Sequence, residues 1–212
     1  MPASIFTLYL ARHGQTEYNR RRLMQGRSID ASLNALGRRQ SVALADRFRD
    51  VPLSAVYASP MKRAVETASA IAAHHEVDLR TIPEMAEMAW GELEGKPIGE
   101  VTGYLDQVGG DWKAGRFDHR VGGGETILDV QERARTVLEK LSHAHSGGEE
   151  VLAVTHGRFL RVLLATALPG FDLTRMDEFG HANTGVYRLE ASPEGFRVTL
   201  KNCTDHLAQL EV

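Results

Sequence analysis

Residues 8–19 read Leu8-Tyr9-Leu10-Ala11-Arg12-His13-Gly14-Gln15-Thr16-Glu17-Tyr18-Asn19, and their reading decides the fold. The apolar run over residues 5–11 predicts a buried strand. It stops at Arg12-His13-Gly14, where glycine permits a sharp turn. An arginine and a histidine at the mouth of a parallel sheet suit phosphoryl chemistry. The guanidinium offers two N–H donors to phosphoryl oxygens, and an unprotonated imidazole nitrogen attacks phosphorus.

Strand and helix signals alternate outward from this point. Asn34 predicts the cap of a helix over residues 35–49, with Leu36, Val42, Leu44, Ala45 and Phe48 as its apolar stripe. Residues 53–58 predict a second strand ending in Ser59-Pro60. A helix then starts near Met61, with Ala64, Val65, Ala68, Ile71 and Ala72 inward. Residues 77–82 predict a third strand and residues 98–107 a short helix. Residues 127–141 read as a long amphipathic helix, and residues 151–155 as a fourth buried strand. His156-Gly157 and an apolar helix over residues 159–168 follow it. Residues 185–189 and 196–200 predict two last strands around the Pro193-Glu194-Gly195 turn. The expectation is an α/β protein with an open, mostly parallel sheet and helices on both faces. It forms one domain over residues 1–212, with the glycine-rich residues 83–124 as an insertion shaping the site.

Ligands of such sheets bind outside the carboxyl ends of the strands. Arg12-His13 and His156 directly follow predicted strands, and Arg63 lies in the first turn of the helix after the second. His13 is the candidate nucleophile, provided a backbone carbonyl on its other ring nitrogen fixes the tautomer. Arg12 and Arg63 supply fixed positive charge. His156 supplies a further hydrogen bond, and the helix beginning at Gly157 adds the partial charge of its N-terminus. Glu84, Glu87, Glu92 and Glu94 are all candidates for the acid that protonates a leaving group. A partly apolar, negatively charged pocket raises the pKa of such a carboxyl. This chemistry requires no metal or other cofactor. The adjacent His74-His75 and the pair Cys203, His206 lack zinc-site spacing.

Acidic residues outnumber basic ones 28 to 25, which gives no electrostatic drive toward nucleic acid or an anionic membrane. Arg20-Arg21-Arg22 therefore read as a solvated patch at the pocket rim. The single Cys203 excludes an intrachain disulfide and fits a reducing compartment. Met1-Pro2-Ala3-Ser4 lacks the pattern of a signal peptide, and no apolar run reaches the length of a membrane span. A cytoplasmic protein is expected. Gly122-Gly123-Gly124 lacks the Lys and Ser/Thr of a nucleotide loop. His74, His75, His143 and His145 are expected at solvated helix ends, and Trp90 and Trp112 at the substrate entrance or over the core. Arg158 and Arg161 either reach a distal phosphate or carboxylate or stay on the helix surface. A homodimer through an exposed strand edge or apolar patch is open, because neither feature can be located from sequence.

Taken together these segments resemble the histidine phosphatase superfamily, in its phosphoglycerate-mutase-like branch with an Arg-His-Gly motif. Leu10-Ala11-Arg12-His13-Gly14-Gln15-Thr16 resembles the phosphate-pocket motif, with Asn19 at a position that often contacts phosphate. Gln25-Gly26 through Asp30, Ser59-Pro60 with Arg63-Ala64, Gly123-Gly124-Glu125-Thr126 and Val154-Thr155-His156-Gly157 match further family segments. The resemblance implies an α/β/α sandwich, a phosphohistidine at His13, metal independence, and Glu87 as the proton donor among the four carboxylates. It implies phosphate or substrate contacts from Arg12, Asn19, Gln25, Gly26, Arg63, His156 and Gly157. Phosphoglycerate mutases of the family carry paired arginines and a proline-rich stretch where residues 96–122 hold only Arg116 and Arg120. They also tend to carry Gly-Trp in place of Gln25-Gly26. The expectation is a phosphatase acting on a small phosphorylated metabolite. A cofactor-dependent phosphoglycerate mutase and an inactive phosphate-ligand or protein-binding scaffold are the alternatives.

Overall fold

The computed structural model describes residues 6–210, so Ile5 and the N-terminal tetrapeptide discussed above lie outside the described residues. The elements run β1 (Phe6–Arg12), α1 (Glu17–Arg20), α2 (Ala35–Phe48), β2 (Leu53–Ala58), α3 (Lys62–Ala72), β3 (Leu79–Thr81) and α4 (Ile98–Lys113). They continue as α5 (Ile127–Ala144), β4 (Glu149–Thr155), α6 (Gly157–Ala167), β5 (Val186–Ser192) and β6 (Gly195–Cys203). Among the described residues the strands form one sheet in the order β3-β2-β4-β1-β5-β6. The first four are mutually parallel, and β5 and β6 join as an antiparallel hairpin through the expected Pro193-Glu194 turn.

Period-two alternation explains the layers. Phe6, Leu8 and Leu10 enter one apolar cluster with α5 and α6. Ala11 enters the other, against Leu44 and Phe48 of α2 and Ala64 and Ile71 of α3. The result is the expected three-layer α/β/α sandwich. Asn34 caps α2 by accepting from Gly37 N at 2.8 Å. Thr126 and Asp129 form a reciprocal capping box at the start of α5. On α5 the buried residues Ile127, Val130, Ala134, Val137 and Leu141 recur three and four apart, which sets its inner face.

The structure corrects several expectations. Val42 is exposed, because the buried stripe of α2 runs through Gly37, Gln40, Ser41, Leu44, Ala45 and Phe48 and leaves residue 42 on the opposite side. The third strand shrinks to three residues. α4 extends through Gly109 and Gly110 to Lys113, since burial of Val101, Val108 and Trp112 overrides the poor helix propensity of glycine. His145 is buried. The chain leaves α5 there in an extended conformation, and the ring pairs with the Tyr57 hydroxyl at 2.9 Å and the Glu149 carboxylate at 3.3 Å.

Candidate active site

Three parallel strands deliver the site. Arg12 stands in register with Thr155, His13 N donates to Thr155 O at 2.9 Å, and Ser59 N donates to Val154 O at 3.0 Å. The carboxyl ends of β1, β4 and β2 therefore lie side by side. They carry Arg12-His13, His156 and the Ser59-Pro60 turn that leads into Arg63. The antiparallel β5 enters at the same edge, where Thr184 N donates to Arg12 O at 3.0 Å. After His13 the backbone packs directly on the first turn of α2. A Cβ at Gly14 would sit 2.6 Å from Gly37 O, and one at Gly37 would sit 2.0 Å from Gln15 O. Only paired glycines allow this approach.

His13 is buried, and its Nδ1 lies 2.7 Å from Gly14 O. A carbonyl can only accept, so Nδ1 carries the proton and the lone pair stands on Nε2. Burial, reinforced by the charges of Arg63 and Arg12, holds the imidazole pKa well below 6.5. The ring is neutral at physiological pH, as a nucleophile must be. Arg12 donates through Nη1 to His181 O at 2.7 Å. Burial lowers its pKa to about 10, partly opposed by Glu87, so it remains charged.

His156 and Arg63 are fully buried behind His13, with the two imidazole centroids 5.2 Å apart. Arg63 Nε donates to His156 Nδ1 at 3.2 Å, which places the His156 proton on Nε2, bonded to Ser59 Oγ at 2.7 Å. The remaining Arg63 nitrogens hold Ile29 O at 2.6 Å and Gly26 O at 3.3 Å. Without a ligand the Nε2 of His156 is engaged by Ser59. Neither His156 nor Arg63 lines the pocket. Gly26 does not line it either and contributes only its carbonyl to Arg63.

In front of His13 opens a pocket of about 150 Å³ lined by Arg12, Asn19, Gln25, Glu87, Gly157, Arg158 and other residues. Arg12 Nε, Gln25 Nε2 and Arg158 Nε are buried donors without a partner. The residues that carry them line the pocket, which brings two guanidinium groups and an amide to its wall. Asn19 turns its Oδ1 to Thr16 N at 3.2 Å. Gly157 must be small, because a Cβ there would meet His181 Cδ2 at 2.6 Å and Arg12 Nε at 3.5 Å.

Of the four candidate carboxylates only Glu87 lines this pocket. Its Oε1 accepts from Met88 N at 2.8 Å and Phe159 N at 3.0 Å, and its Oε2 from Arg158 N at 3.1 Å. Glu84 pairs with Lys140 at 2.6 Å, Glu92 is exposed, and Glu94 bonds Trp90 N and Ser28 N, each at 2.9 Å. The negative surroundings expected for the acid do not form. Arg12, Arg158 and Arg161 line the pocket instead. Arg20, Arg21 and Arg22 are exposed, with Arg20 paired to Glu17 at 2.5 Å. Sequence reasoning missed His181, which lines the pocket, and Asn183, which donates to His13 O at 2.9 Å. The available signal was topological, since residues just before an antiparallel neighbour of β1 must arrive beside Arg12.

His181 is held neutral too, its pKa lowered to about 3 by burial and by Arg12, Arg161 and Arg158. Burial and Arg63 depress His156 in the same direction. The unfolded chain, with histidines near 6.5, therefore binds more protons below that pH than the native state does. Stability is expected to be fully present above about pH 6.5 and to fall steadily below it. Urea midpoints measured from pH 7 to pH 4 check this. A midpoint independent of pH over that range contradicts it.

Among the described residues no helix is long and apolar enough to cross a membrane. The sequence profile of the histidine phosphatase superfamily (branch 1) matches residues 8–204. The chain is 30% identical over 203 residues to putative phosphoserine phosphatase 2 of Hydrogenobacter thermophilus, covering 96% of this chain and 98% of that protein. It is 31% identical over 185 residues to phosphoglycerate mutase-like protein 4 of Arabidopsis thaliana, covering 86% and 79%. Among solved structures, the phosphoserine phosphatase of Entamoeba histolytica in complex with 3-phosphoglyceric acid superposes with a TM-score of 0.82 at 25% identity, covering 96% of this chain and 100% of that one. The mycobacterial glucosyl-3-phosphoglycerate phosphatase superposes with a TM-score of 0.81 at 25% identity, covering 95% and 100%. With that profile match and those relatives, the chain belongs to branch 1 of the histidine phosphatase superfamily.

Proposed function

We propose that the chain hydrolyses a small phosphomonoester through a phosphohistidine on His13. His13 Nε2 attacks phosphorus in line with the ester oxygen, the bond to that oxygen breaks, and Glu87 gives it a proton. The carboxylate of Glu87 then takes a proton from water. The resulting hydroxide attacks the phosphohistidine, the P–N bond breaks, and its electron pair returns to Nε2. Inorganic phosphate and an alcohol leave. The observation that carries this reading is the tautomer of His13, fixed by Gly14 O in a ring kept neutral by burial. Arg12 brings its positive charge to the transferring oxygens from the pocket wall, together with the N-terminus of α6 at Gly157. Arg63 acts from behind His13 through its charge, and His156 through its ring, which packs tilted at 58° against that of His13. Asn19 and Gln25 complete the wall.

Residues 83–124 serve as an insertion within one domain over residues 1–212, contributing Glu87, Trp90 and Ile98 to the pocket. The lone Cys203 suits a reducing compartment, the cytoplasm. The mutase alternative is weakened by Arg116 and Arg120. They pair with Asp111 and Asp129 at 64% and 62% side-chain exposure and do not line the pocket. Hydrolysis of p-nitrophenyl phosphate and a panel of metabolite phosphomonoesters in excess EDTA tests the proposal. Turnover undiminished by EDTA is expected. Absence of turnover across the panel, or its loss on chelation, overturns it.

A further inference from the structure

We infer that the ion pair between Arg133 and Glu125 is the positioning device of the proton donor, holding the backbone on both sides of Glu87 so that its carboxylate meets the leaving oxygen. The inference rests on the phosphatase reading and assigns positioning residues to one of its steps. Residues 87–90 belong to no helix or strand, so no regular hydrogen-bond pattern of their own fixes the carboxylate. The fixation comes from α5. Glu125 stands just before the Thr126 cap of that helix, and Arg133 lies in its second turn. Arg133 Nε donates to Glu125 Oε1 and Nη2 to Oε2, each at 3.0 Å, with side chains only 16% and 13% exposed. Two parallel bonds of this kind fix direction as well as distance.

From this pair, contacts run to the chain before and after Glu87. Arg133 Nη1 donates to Glu84 O at 2.5 Å and to Ala86 O at 2.8 Å. Ala89 N donates to Glu125 Oε2 at 2.8 Å, and Glu125 N donates back to Ala89 O at 2.9 Å. The two segments touch closely there, because a Cβ on Gly124 would sit 2.1 Å from Ala89 O. Glu87 thus hangs between two grips that share one ion pair. The Arg133 guanidinium also lies 5.2 Å from the centroid of the Phe159 ring, and Phe159 N donates to Glu87 Oε1 at 3.0 Å. Neither Arg133 nor Glu125 lines the pocket, so both act through what they hold. The capping box and the five buried residues of its inner face make α5 a rigid reference for that hold. Small errors in the place of a reacting group cost rate steeply, which gives the hold a kinetic consequence.

The test compares kcat/KM for p-nitrophenyl phosphate with that for the alkyl phosphate the metabolite panel turns over fastest, in the wild type and in Arg133→Lys, Glu125→Gln and Glu87→Gln. This parameter covers transfer to His13, the step in which an alkyl leaving oxygen takes its proton. Lysine keeps the charge of Arg133 but lacks the planar fork that meets both carboxylate oxygens and both carbonyls. Arg133→Lys and Glu125→Gln are each expected to lower the alkyl value by roughly ten- to a hundredfold, and the aryl value far less. In the Glu87→Gln background, Arg133→Lys is expected to change the alkyl value by no more than about twofold, because the group it positions is already gone. Equal losses on both esters, no loss on either, or a full further loss in the Glu87→Gln background overturns the inference. Circular dichroism checks folding. Where Arg133→Lys does not fold, Glu125→Gln alone and combined with Glu87→Gln decides by the same ratios. If neither folds, the pair serves the fold and the inference is overturned. Leaving-group dependence in Glu87→Gln without any in the other two variants refutes the inference alone. No such dependence in Glu87→Gln refutes the acid role of Glu87 and the inference with it, and no wild-type turnover of any phosphoester refutes the phosphatase reading as a whole.

Discussion

His13→Ala is expected to lower kcat/KM for every phosphomonoester by at least about 10⁴-fold, the scale seen when a nucleophile is removed from an otherwise intact site. The loss should appear in kcat. Arg12, Gln25 and the N-terminus of α6 line the pocket independently of the imidazole, so phosphate binding should survive. The fold should survive as well, because the variant removes a ring whose single intramolecular hydrogen bond goes to the neighbouring Gly14 O. Steady-state kinetics paired with thermal unfolding check both halves. Hydrolysis within tenfold of wild type would remove His13 from the reaction. Phosphate binding lost together with activity would instead assign it to binding.

Glu87→Gln is expected to reduce kcat/KM by about 10²- to 10⁴-fold on alkyl phosphates, whose leaving oxygen needs a proton. The loss should be markedly smaller on p-nitrophenyl phosphate, whose leaving group departs without one. The contrast matters because Glu87 also binds Met88 N, Phe159 N and Arg158 N and so anchors the start of α6. A purely structural carboxylate would penalise both substrates equally. Leaving-group dependence belongs to the proton donor. Equal losses on alkyl and aryl esters would pass the acid role to another group.

Much of this site is legible in sequence because parallel sheets place function at strand ends. The run into Arg12-His13-Gly14 and the run into His156-Gly157 each announce a buried strand, and the two strands are hydrogen-bonded neighbours with Arg12 opposite Thr155. Asn34 and Thr126 announce their helices through side chains that compete for backbone donors. Other features depend on partners that no local pattern names. His181 and Asn183 reach the site through the antiparallel pairing of β5 with β1. The choice among Glu84, Glu87, Glu92 and Glu94 could not be made from local chemistry, and only the family resemblance pointed to Glu87. In the fold, the first turn of α6 supplies Phe159 N and Arg158 N to that residue alone. The partners of His156, Ser59 and Arg63, are distant from it in sequence and no local pattern names them. Val42 misled because an apolar side chain alone does not tell which face of α2 meets the sheet.

The measurement closest to the central claim is alkali-quenched rapid-mixing labelling with a ³²P-phosphomonoester, followed by alkaline denaturing electrophoresis and peptide mapping at neutral to alkaline pH. The account predicts a transient label that is stable to base and labile to acid, that maps to the peptide containing His13, and that is absent in His13→Ala. In Glu87→Gln the label should persist longer, because the water that removes it lacks its base. Turnover without any such label, or a label on a residue other than His13, would contradict the account.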